Sequence, residues 1–117
     1  MVMVVDDEPM IRRLVASALT TRGFEVVDAE SPAHAIRLMD SHPAPLDLLV
    51  TDIVMPEIGG CELAAEMRRK RPGLKVLFMS GYAPPDVENC AGARSDFLQK
   101  PFRLTDLVDR VTRILAA

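Results

Sequence analysis

A chain of 117 residues that is 49% hydrophobic and 26% charged has the composition of one folded domain with a real core, which excludes a disordered chain. A net charge of -3 argues against a direct nucleic-acid surface or a membrane surface, and no apolar stretch is long enough to span a bilayer. No signal peptide is evident, and Cys61 and Cys90 lack metal-ligand spacing, so they read as free thiols in a reduced, cytoplasmic setting.

Met1 to Val5 is apolar and β-branched, the pattern of a short buried strand, and it ends at Asp6, Asp7 and Glu8. Pro9 opens a helix, since its missing N–H is not needed there. Ile11, Leu14, Val15, Ala18 and Leu19 give that helix an apolar stripe, and Gly23 ends it. Phe24 to Ala29 reads as a second strand. Ser31 and Pro32 form an N-cap with proline behind it, starting a helix with Ala35, Ile36 and Met39 inward. After a loop at 42–45, Leu48, Leu49 and Val50 form a run expected of a strand buried on both faces, ending at Asp52.

Gly59 and Gly60 read as a flexible lead-in to a third helix with Leu63, Ala64 and Met67 inward and Arg68 to Arg71 at its end. Lys75 to Met79 is a fourth strand, followed by Ser80 and Gly81. Residues 84–93 are the weakest element, a short fourth helix at best. Asp96 to Gln99 is a short fifth strand before Lys100 and Pro101, and Leu104, Leu107, Val108, Val111, Ile114 and Leu115 mark the fifth helix. Strands alternating with helices predict an α/β fold, a (βα)5 doubly wound five-stranded parallel sheet, over one domain, 1–117. Asp6, Asp7, Asp52, Ser80 and Lys100 then all belong to one edge of the sheet, the carboxyl edge where such sheets bind ligands.

Three acids at neighbouring strand ends repel unless a cation joins them, and oxygen donors at few protein positions suit Mg2+. A carboxylate can attack phosphorus to form an aspartyl phosphate, with Mg2+, the Lys100 ammonium and the Ser80 hydroxyl stabilising the transferring group. Each residue also has a plain structural reading: acids at a helix N-terminus, turn chemistry at Asp52 before Pro56, a surface lysine. A docking scaffold that needs no phosphorylation would not require this set of residues. A phosphatase with an aspartate nucleophile would want a second acid two positions on, where Val54 stands.

The runs VVDDE at 4–8, TDIVMP at 51–56, MSG at 79–81 and KP at 100–101 resemble the receiver domains of two-component response regulators along the whole chain. The resemblance implies a flavodoxin-like sheet of order 2-1-3-4-5. It implies Asp52 as phosphoacceptor, with Mg2+ held by Asp6, Asp7, Asp52 and the Val54 carbonyl. Lys100 would be the active-site lysine, preceding a cis bond to Pro101. Ser80 and Phe97 would be the switch pair that alters the output face. The implied partner is a sensor histidine kinase or phosphotransfer domain, and a homodimer through the fourth helix, fifth strand and fifth helix is left open. The resemblance also implies Mg2+-dependent autophosphorylation from a phosphodonor and slow autodephosphorylation. Val54 and Tyr82 flank the approach to Asp52 and are expected to hinder attacking water. The wording around FMSGY and DFLQKPF is similar to receivers fused behind histidine kinases.

Overall fold

The computed structural model describes residues 1–42, 44–81 and 95–116. The elements are β1 (Val2–Val5), α1 (Pro9–Thr21), β2 (Val26–Ala29), α2 (Pro32–Ser41), β3 (Leu48–Asp52), α3 (Gly60–Lys70), β4 (Lys75–Ser80), β5 (Ser95–Gln99) and α4 (Leu104–Ala116). The five strands form one parallel sheet in the order β2-β1-β3-β4-β5, as the family resemblance implies. The short helix expected at 84–93 lies outside the described residues, so α4 is the element read from sequence as the fifth helix.

Side chains alternate across the pleat, and each strand therefore feeds two cores. Met3, Val5, Leu49, Val76 and Phe78 meet Ala35 of α2 and Leu63, Ala64 and Met67 of α3 on one face. Val2, Val4, Leu48, Val50, Leu77 and Met79 meet Val15 and Leu19 of α1 and Leu107, Val108 and Val111 of α4 on the other. This two-sided burial explains why β1, β3 and β4 are nearly continuous apolar runs. α2 starts as expected, with the Ser31 hydroxyl accepting the His34 N–H at 3.2 Å.

Three expectations need correction. Leu14, placed on the inward stripe of α1, is 50% exposed, and Arg12 is buried in phase with Val15 and Leu19. Leaving Leu14 half exposed forgoes about 1 kcal/mol of burial. The two hydrogen bonds of the Arg12 guanidinium, about 1.5–3 kcal/mol each for a charged donor, outweigh that. Gly59 and Gly60 serve close packing rather than flexibility. A Cβ on Gly60 would stand 2.1 Å from the Asp52 carbonyl oxygen, and one on Gly59 2.7 Å from that of Ile53. Cys61 is disulfide-bonded rather than a free thiol; Cys90 lies outside the described residues.

Candidate functional site

The sheet register assembles the site. Val5 pairs with Thr51, so the next residues, Asp6 and Asp52, leave β1 and β3 side by side. Asp52 pairs with Met79 and Ser80 with Gln99, so Ser80 and Lys100 follow at the same edge on β4 and after β5. Two backbone bonds lock this edge: the Ile53 N–H donates to the Met79 carbonyl at 3.1 Å, and the Lys100 N–H donates to the Ser80 carbonyl at 2.7 Å. The Lys100–Pro101 peptide is cis, as the resemblance implies.

Lys100 is the hub. Its Nζ lies 3.1 Å from Asp52 Oδ2, 3.3 Å from Asp6 Oδ2 and 3.8 Å from Glu8 Oε1. Asp6 is fully buried, while Asp52 and Ser80 are nearly so. The second oxygen of each aspartate is held by backbone: Glu8 N–H donates to Asp6 Oδ1 at 2.9 Å and Val54 N–H to Asp52 Oδ1 at 3.3 Å. Burial pushes the Asp6 carboxyl above its ordinary value and the charge of Asp52 adds to the rise, against the pull of the Glu8 N–H and Lys100. Burial alone would lower Lys100, but its hydrogen bond to Asp52 and the charges of Asp6 and Asp52 outweigh that and raise it. Lys100 is therefore a fixed cation at neutral pH.

Three carboxylates, those of Asp6, Glu8 and Asp52, offer oxygens within 4.8 Å of one another. One ammonium cannot balance three carboxylates, and the donors are all hard oxygens, so the set fits a divalent cation such as Mg2+. Glu8 belongs to this group although sequence reasoning assigned it no role. Its signal was its place as the third acid in the run after β1. Asp7 is exposed and its carboxylate is not among the three. It lines a neighbouring cavity of about 330 Å3 with Arg12, Glu30, Pro32 and Glu57. The Val54 side chain is 60% exposed beside Asp52, and Tyr82 lies outside the described residues. Phe97 is half-buried against the α2–α3 core and pairs in register with Phe78, two positions before the Ser80–Gln99 pair. Its carbonyl accepts Arg110 Nη1 at 2.8 Å.

The loop between Asp52 and α3 is held by its own geometry. Glu57 has φ 73, a left-handed conformation that costs a non-glycine residue about 1 kcal/mol. The Gly60 N–H donates to the Ile53 carbonyl at 2.8 Å, which draws the start of α3 onto the backbone of the Asp52 segment.

A family model described as the response regulator receiver domain matches residues 2–112. The chain belongs to the response regulator receiver family. It is 37% identical over 116 residues to the sensor kinase CckA of Brucella abortus, covering 97% of this chain but 12% of that protein. It is 35% identical over 118 residues to the response regulator receiver protein CpdR of the same organism, covering 99% of this chain and 97% of that one. Among solved structures, the receiver domain of the hybrid histidine kinase CckA superposes with a TM-score of 0.84 at 31% identity, covering 97% of each chain. A response regulator receiver protein from Sinorhizobium medicae reaches a TM-score of 0.89 at 31% identity, over 99% of this chain and 94% of that one. This receiver thus has the flavodoxin-like fold and a place in two-component signalling, where its family works with histidine kinases or phosphotransfer proteins and generally binds Mg2+. No helix among the described residues is long and apolar enough to cross a membrane.

Proposed function

We propose that this receiver, a single domain over 1–117, takes a phosphoryl group from the phosphohistidine of a sensor histidine kinase or phosphotransfer domain onto Asp52. The Asp52 carboxylate oxygen attacks phosphorus, the P–N bond breaks, and its electron pair and a proton end on the departing imidazole. Asp6, Asp7, Asp52 and the Val54 carbonyl would hold Mg2+, with Glu8 beside them. The ion supplies charge neutralisation for the transferring group. Lys100, released from its share in Asp52, pairs with the new phosphoryl oxygens. Ser80 turns its hydroxyl toward them, and Phe97 follows in the switch of the β5–α4 face. A small phosphodonor serves in place of the phosphohistidine, and slow autodephosphorylation resets the domain. The output is a cytoplasmic protein contact, without direct nucleic-acid or membrane binding. A homodimer would use the β5–α4 side together with the segment at 84–93.

The observation that carries this reading is a nearly buried aspartate at the end of a central strand, 3.1 Å from a lysine ammonium and grouped with two other carboxylates. Intact-mass spectrometry after incubation with acetyl phosphate and Mg2+ tests it. One added phosphoryl group is expected in the native chain and none in Asp52→Asn. Labelling that persists in that variant would sink the assignment.

A further inference from the structure

Arg12 sits in the first turns of α1 yet is only 9% exposed, an unusual place for a guanidinium unless every donor it buries has a use. Its Nη1 donates to the backbone carbonyl of Asp6 at 3.0 Å, and its Nε donates to Asp28 Oδ2 on β2 at 3.0 Å. The Asp6 carbonyl belongs to the peptide that joins Asp6 to Asp7. The same turn is held on its other side by the Glu8 N–H on Asp6 Oδ1. Backbone torsion at Asp6 decides how its carboxylate meets Lys100 and Asp52 and where Asp7 starts.

We infer that Arg12 is a positioning residue for the cation-binding end of the site, a fork that fixes the Asp6–Asp7 peptide while Asp28 fixes the fork. The inference rests on the phosphoacceptor reading above. Arg12 itself touches neither phosphorus nor metal; it acts through the carbonyl it holds. A guanidinium presents two N–H vectors in one rigid plane, so one side chain can meet a carbonyl and a carboxylate together. A lysine's three N–H bonds radiate from a single nitrogen, which cannot stand at the Nε and Nη1 positions at once. Asp28 is half exposed, and α1 is already sealed to the sheet by Val15 and Leu19. A tie between α1 and β2 would not by itself require a carbonyl of the acid turn as the second partner.

The test titrates Mg2+ into the native chain and into Arg12→Gln, Arg12→Lys and Asp28→Asn, following backbone amide shifts by NMR and recording melting temperature in parallel. Loss of a residue that orients a ligand typically weakens metal binding 10- to 100-fold, so about tenfold weaker Mg2+ binding is expected for both Arg12 variants. Asp28→Asn should weaken it several-fold, and adding it to Arg12→Gln should cause no further loss, because the two act in one chain. Variants that melt earlier but bind Mg2+ as the native chain does would reduce Arg12 to a packing tie and overturn the inference. Full recovery by Arg12→Lys would overturn it equally, since the fork would then be unnecessary. Should Arg12→Gln not fold, Arg12→Lys and Asp28→Asn decide by the same readout. A native chain that binds no Mg2+ overturns both the inference and the phosphoacceptor reading; a native chain that binds while all variants match it overturns the inference alone.

Discussion

Replacing Gly60 by alanine adds one methyl group where α3 meets the backbone of the Asp52 segment. The new Cβ would lie 2.1 Å from the Asp52 carbonyl oxygen and 3.0 Å from its carbon. Both are main-chain atoms of a central strand, so no rotamer change can relieve the contact. Ordinary separation demands a shift of about 1 Å, and overpacking of this kind costs about 1–3 kcal/mol or more. Alanine returns up to about 1 kcal/mol through its helix preference. The net expectation is a loss of about 2 kcal/mol, which at this chain length lowers Tm by about 8 °C. Because the displaced atom belongs to Asp52, the rate of phosphorylation by acetyl phosphate should also fall, by up to about 100-fold for a misplacement near 1 Å. Far-UV circular dichroism melts and the mass assay measure the two effects. Gly81→Ala is the control: nothing among the described residues lies within 4 Å of its Cβ, so it should melt within about 0.5 kcal/mol of the native chain. A Gly60→Ala variant that melts like that control would refute the claim that α3 rests on the Asp52 carbonyl.

Lys100→Met should destabilise the chain at neutral pH, because two nearly buried carboxylates lose their shared cation. Lys100 is raised above 10.5, so its contribution is present in full below that pH and is lost as pH climbs through the folded value. In urea unfolding with EDTA, the difference between native and variant chains should hold steady to about pH 10 and shrink by about pH 12; a difference that ignores alkaline pH would remove the lysine from this role. If Val54, 60% exposed beside Asp52, shields it from attacking water, the native phosphoryl half-life should be minutes or longer. Val54→Ala should shorten it several-fold. A native half-life of seconds contradicts that shielding.

What the sequence determined by itself is the order of elements and the edge at which the chemistry gathers. Apolar runs such as Leu48 to Val50, short and unbroken by polar residues, fit a strand covered on both faces, and the reactive side chains follow where those runs stop. Asp6, Asp52, Ser80 and Lys100 were legible for that reason, because strand ends in a parallel sheet share an edge whatever their separation along the chain.

Only the tertiary structure decided distances and helix phase. Apolar spacing put Leu14 inward on α1, yet the helix turns Arg12 in, since a carbonyl in the β1–α1 turn and a carboxylate on β2 wait there. Glu8 joined the carboxylate group of Asp6 and Asp52, and Asp7 lines the neighbouring cavity. The glycine pair at the start of α3 proved to be a close approach to the Asp52–Ile53 backbone, a contact that no sequence pattern reports. Hydrophobic periodicity reports which face is apolar, whereas the partners that rescue a buried charge come from other strands, and only folding brings them within 3 Å.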